Sequence, residues 1–275
     1  MSVVSVVITG FCTVHASDSF ITEIQGDGSR KILESEKSKI ISVPPWRGAI
    51  AYWGLAVARA NTSIVWSTMD WLEKQVSLAT SVPSPEDFAQ LLARNLHIEL
   101  SKLNFAKPTD VGIGMHFTAY EWVSDYWIPE LFLISNWTNP SYRAVHPTGP
   151  RVSREAFGAA FKTDTQPEHR EETYRLKVHG YLQEGKWLIY NNGDPTLFNP
   201  AANSILGMAE TLAQRGTLSD PEQTKTYQSF ARLPVEIVSK VQHDFCKEGS
   251  RIVGGKPHDL AITSGGEYSS TSGDA

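Results

Sequence analysis

Met1-Ser2-Val3-Val4-Ser5-Val6-Val7-Ile8 opens the chain, His15-Ala16-Ser17-Asp18-Ser19 follows, and Lys39-Ile40-Ile41-Ser42-Val43 comes after a polar stretch. The first and third segments are apolar runs at strand length, and the second ends the run that begins after Gly10. Residues 3–9 and 11–17 read as two strands joined by a tight turn at Gly10. Residues 39–43 and 48–52 read as a second hairpin, with Pro44-Pro45-Trp46-Arg47 as its loop. A small second residue permits removal of Met1 by a methionine aminopeptidase. The chain would then begin with a serine hydroxyl carrying its own free α-amine. That amine titrates near pH 8 and can act as general base for the hydroxyl. A lysine and an aspartate are the groups that would tune it, and Lys39 and Asp18 supply both types.

The remaining segments set the fold class. Residues 55–79 read as a long helix, because Val65, Met69, Leu72 and Val76 step by four, three and four. Ser84-Pro85-Glu86-Asp87 is a helix start, with a capping serine, proline at the first helical position and acids in the first turn. That helix runs to about residue 103. Strand signals return at 111–122 and 130–136, then at 174–183 and 186–190 across Glu184-Gly185. Helices are expected over 201–215 and 221–247, and a last strand over 259–263. The Gly/Ser-rich tail 265–275 is expected to be disordered. The order is strands, two helices, strands, two helices, strand. Alternating βαβ units are absent, so an α+β fold is expected in place of a doubly wound parallel sheet.

Composition narrows the function. A net charge of −5 gives no basic footprint for nucleic acid, so none is expected as partner. No apolar stretch approaches the length of a membrane span, and the N-terminal run lacks the basic flank of a signal peptide. Cys12 and Cys246 are far apart in sequence and read as reduced thiols, so a cytoplasmic location is expected. The eight histidines show no pair at a zinc-binding spacing, and no P-loop or dinucleotide fingerprint occurs, so no metal and no cofactor are expected.

The arrangement of Ser2, Ala16-Ser17-Asp18-Ser19, Lys39 and Gly48-Ala49-Ile50-Ala51 resembles the proteasome β-subunit family of N-terminal-nucleophile hydrolases, and most closely its bacterial self-assembling relatives. That family begins its mature chain with Thr or Ser, carries an Ala-x-Asp-Ser motif at the end of the second strand, and starts the next hairpin with a lysine. The Asp18-to-Lys39 interval is a few residues longer here, with the excess in residues 25–30. Gly254-Gly255 before a strand matches the family's helix-to-strand turn. The resemblance implies a four-layer αββα sandwich over residues 1–264, with residues 138–172 as an insertion. It implies Ser2, Asp18 and Lys39 as catalytic residues, a peptide or small amide as substrate, an acyl-enzyme route and a homo-oligomer.

The departures are specific. Phe20 stands where the family has Arg. Ala51-Tyr52-Trp53-Gly54 stands at the place of its oxyanion glycine, and the nearest matches to its supporting polar residues are Asn192 and Ser250. They define the alternative, a catalytically inactive scaffold subunit of the same fold. A third reading is a module that holds a peptide or metabolite in the cleft without cleaving it.

Overall fold

A computed structural model describes residues 2–24, 30–60, 63–102, 112–135, 151–153, 172–192, 195–217, 224–247, 251 and 253–270. The fold is α+β, built on two antiparallel five-stranded sheets and several helices.

The first sheet comprises β1 (Val4–Ile8), β2 (Cys12–Ser17), β12 (Leu188–Asn192), β13 (His258–Thr263) and β14 (Tyr268–Ser269). Its order is β12-β1-β2-β13-β14. The second comprises β5 (Ile40–Val43), β6 (Gly48–Gly54), β9 (Ile113–Val123), β10 (Tyr126–Ser135) and β11 (Arg151–Ser153). Its order is β11-β10-β9-β6-β5. Two ribbons stand apart from the sheets: β3 (Ile21–Ile24) with β4 (Arg30–Glu34), and β7 (Val57–Ala60) with β8 (Ser63–Ser67). The helices are α1 (Thr68–Val76), α2 (Pro85–Lys102), α3 (Glu172–Gln183), α4 (Pro195–Gln214) and α5 (Thr224–Phe245).

Three apolar cores explain the strand composition. Val3, Val7, Val14 and Ala16 pack against Tyr227, Val235 and Val238 on α5. Val4, Val6 and Ile8 turn the other way and meet Ala49, Ala51 and Trp53 of the second sheet, together with Val178 and Leu182 of α3. β1 is therefore apolar on both faces, which is why its sequence is a continuous run and not an alternation. Ile50, Tyr52 and Phe117 face α1 and α2. Phe117 there meets Phe88 edge-on and Phe132 in a stack, both at 5.5 Å between ring centres. Ser84 Oγ accepts from the Asp87 N–H at 3.1 Å, capping α2 as its sequence predicts.

Several expectations are corrected. Residues 55–79 are not one helix. They form β7, β8 and then α1, whose cap is Ser67, with its side chain accepting from the Asp70 N–H. Ile64 and Val65 are β-branched and exposed, and they favour the ribbon over a helix. Residues 174–183 are helix, not strand: Val178 and Leu182, four apart, reach the core together. Within the tail expected to be disordered, Tyr268 and Ser269 pair with Ile262 and Ala261. Of the 138–172 insertion, Arg151–Ser153 add the outer strand beside β10, and Glu172 opens α3. Residues 138–150 and 154–171 lie outside the described residues. Among the described residues no helix is long and apolar enough to cross a membrane.

Candidate active site

The turn between β1 and β2 is tied by one side chain. Thr9 Oγ1 accepts from the N–H groups of Phe11 and Cys12, at 3.1 and 2.9 Å, and donates to the Cys12 carbonyl. This fixes a register in which Val4 faces Ser17. Ser2 and Val3 then run alongside Asp18. The Val3 N–H donates to Asp18 Oδ1 at 2.9 Å, and the Asp18 N–H returns a bond to the Val3 carbonyl at 3.2 Å.

Lys39 arrives from the other sheet. It directly precedes β5, and its carbonyl accepts from the Tyr52 N–H at 3.1 Å. Its Nζ donates to Ser2 Oγ at 2.9 Å and to Asp18 Oδ1 at 2.9 Å. The structure thus brings together the three residues singled out by spacing. Asp18 and Lys39 are completely buried and Ser2 is 4% exposed, so no bulk water separates them.

Burial sets the electrostatics. Removing the Lys39 ammonium from water pushes its pKa below the usual lysine value, while the Asp18 charge and hydrogen bond oppose that shift. The downward direction prevails, so the neutral amine is more accessible than on a free lysine. Asp18 Oδ2 is buried and accepts no hydrogen bond among the described residues. A buried ion pair of this kind is weak evidence for stability, since desolvation offsets much of the attraction.

The departures from the family pattern also have places. Phe20 packs against Gly254 and Gly255, where an added Cβ would strike its ring. Tyr52 is buried against α1 and α2. Trp53 lies between the sheets, its ring 4.9 Å from that of His116 and above Gly114. Both bulky residues are therefore core, not cleft wall. Asn192 turns to His116, with Nδ2 2.7 Å from Nε2. Ser250 lies outside the described residues.

Sequence reasoning missed the histidines. His15 is fully buried and His116 nearly so, and His15 Nε2 is 2.7 Å from Thr118 Oγ1. Their only signal was position: His15 stands between core Val14 and Ala16 on β2, and His116 sits inside an apolar strand. Among the described residues no three His, Cys, Asp or Glu side chains converge as a metal would require. No protein-family model matches this chain, and no curated protein matches it.

Proposed function

We propose that the chain is an N-terminal-serine hydrolase of the proteasome-like type, cleaving a peptide or other amide bond through an acyl-enzyme once Met1 is removed. The observation that carries this reading is the Lys39 Nζ, 2.9 Å from both Ser2 Oγ and Asp18 Oδ1 in a buried setting. The proposed fold is the four-layer αββα sandwich. Its support is the packing of α1 and α2 on one sheet, of α5 on the other, and of the two sheets on each other.

In the proposed mechanism, neutral Lys39 takes the proton of Ser2 Oγ as that oxygen attacks the substrate carbonyl. Asp18 holds the amine in place and stabilises the ammonium that forms. The ammonium then protonates the leaving amine, and water cleaves the ester. The α-amine of Ser2, freed with Met1, is the second base within reach.

The oxyanion donor is assigned to the Gly54 N–H. N–H directions alternate along an antiparallel strand. Tyr52 spends its N–H on Lys39, and Leu55 spends its own on Gly112 of the β9 side. Trp53 therefore points towards β9. Gly54 points to the open edge beyond the start of β5, about 7 Å from the Tyr52 N–H. Its φ of +90° is a conformation that glycine adopts freely.

A homo-oligomer is part of the proposal. Met208 and Leu212 on α4 and Leu233, Ile237 and Phe245 on α5 are exposed apolar groups that a second copy could cover. The free thiols of Cys12 and Cys246 are in keeping with a cytoplasmic setting. The second reading, an inactive scaffold, draws support from the near-complete burial of Ser2 and from Asn192 being engaged by His116. A Ser2→Ala variant tests the choice. Hydrolysis of a fluorogenic peptide panel should vanish while the far-UV spectrum stays unchanged. Turnover surviving in that variant would exclude Ser2 as nucleophile.

A further inference from the structure

Lys39 stands at the end of a segment without regular structure, residues 35–39, between β4 and β5. A lysine side chain has large rotamer freedom and a strong preference for water. Something must hold this segment for the Nζ to remain buried between Ser2 and Asp18. Three donors do so, and they come from two other parts of the chain. The Ser19 hydroxyl donates to the Ser35 carbonyl. The Lys256 N–H donates to the same carbonyl at 3.2 Å. His258 Nε2 lies 2.9 Å from the Glu36 carbonyl, which can only accept, so the imidazole carries its proton there.

The same donors are fastened to Asp18. Ser19 is its chain neighbour. His258 lies directly opposite Ser17 across the β2–β13 pair. The Gly254 carbonyl accepts from both the Ser19 and Phe20 N–H groups, at 3.1 and 3.2 Å. Residues 18–20, 35–36 and 254–258 therefore form one clasp whose two sides carry the Asp18 carboxylate and the Lys39 amine.

We infer that Ser19 and His258 are positioning residues that keep Lys39 in its buried, proton-accepting place. This rests on the reading of Ser2 as nucleophile. Neither touches the reacting atoms. They act by fixing the carbonyls three and four residues ahead of Lys39. When either donor is lost, the 35–39 segment loosens and the Nζ gains access to water. The amine then holds its proton more tightly at neutral pH. The titratable groups around this region are Asp18 in direct contact, Tyr52 across the strand pair, and Glu34, Glu36, Lys37, Lys256 and His258 itself on the clasp segments. Lys37 is drawn outward to Glu34 at 3.9 Å, so it does not replace Lys39.

The test uses the full chain and a β-lactone, which acylates an activated hydroxyl. The rate of adduct formation on Ser2 is followed by intact mass from pH 6 to 10. Wild type is compared with Ser19→Ala, His258→Ala, His258→Gln and His258→Asn, each checked for folding by thermal melting. Ser19→Ala and His258→Ala should label more slowly at neutral pH, because the profile moves to higher pH, with roughly a tenfold loss of rate for every pH unit of that movement. His258→Gln keeps an N–H at the reach of Nε2 and should restore most of the rate. His258→Asn is one bond shorter and should not. This last pair decides the matter even if the alanine variants fold poorly. Folded variants with the wild-type profile overturn the inference. A parallel NMR titration of the lysine side chains separates it from the nucleophile reading. If wild-type Ser2 never labels, yet the Lys39 titration moves upward in His258→Asn and not in His258→Gln, the nucleophile reading fails and the clasp stands. An unmoved Lys39 titration overturns the clasp by itself.

Discussion

Acidification should destabilise this protein through two side chains that play no direct part in the proposed chemistry. His15 and His116 are buried between the sheets, each with Nε2 bonded and Nδ1 lacking a partner among the described residues. Burial lowers both pKa values from 6.5 to about 3, and for His15 the nearby His116 adds to the effect. Both imidazoles are thus neutral in the folded protein over the whole range in which the unfolded chain takes up their protons. Because the folded values are depressed, stability is full above pH 6.5 and falls as the pH drops towards 3. Each histidine costs about 1.4 kcal/mol per pH unit once below 6.5. The two together remove roughly 4 kcal/mol between pH 7 and pH 5, a large part of the 5–15 kcal/mol typical of a domain. Urea unfolding at pH 7, 6 and 5, followed by tryptophan fluorescence, measures this directly. A His116→Gln variant keeps an amide for Asn192 but cannot take up the proton. It should show about half the loss, roughly 2 kcal/mol. Every other ionisable group is common to both proteins, so its contribution cancels in the difference between them. An undiminished loss in the variant, or less than about 1 kcal/mol in wild type, would mean that water reaches these rings and that the intersheet layer is not closed.

Two other perturbations probe the scaffold around the site. Asp18→Asn removes the carboxylate that holds Lys39 Nζ and counters the burial cost of its charged form, so it should lower stability by about 3–5 kcal/mol at neutral pH and less at alkaline pH, where less of the charged form needs a partner; denaturant melts at pH 7 and 10 read both parts. Gly114→Ala drives a methyl into the Trp53 ring and should cost about 1–3 kcal/mol by overpacking, seen as a lowered Tm, whereas Gly207→Ala meets open space and should not lower it.

The site was more legible in the sequence than much of the scaffold. Ser2, Asp18 and Lys39 lie at the ends of short apolar strands; the β1–β2 register sets Ser2 beside Asp18, and Lys39 reaches both from the facing sheet. β1 was readable for the same reason, being apolar on both faces. The 55–79 segment misled because Val65, Met69, Leu72 and Val76 fit a helical period, yet Val65 belongs to a ribbon and, of these four, only Met69 and Leu72 are buried on α1. Residues 174–183 misled in the opposite sense, because among its described side chains this helix reaches the core through only Val178 and Leu182. The clasp was invisible: it depends on carbonyls and on His258, which lies more than two hundred residues from its partner Glu36. Sequence spacing carries no sign of such a contact. The same holds for Asn192 and His116, which meet only because β12 and β9 lie in facing sheets.

The proposed hydrolysis depends on Lys39 activating Ser2. The decisive experiment is the intact mass of the purified, untagged chain before and after a β-lactone, with the adduct site mapped by peptide sequencing. Loss of Met1 and a single adduct on Ser2, absent in Lys39→Met, is the expected outcome. A protein that takes no adduct on Ser2, or one that labels equally well without Lys39, would refute that activation.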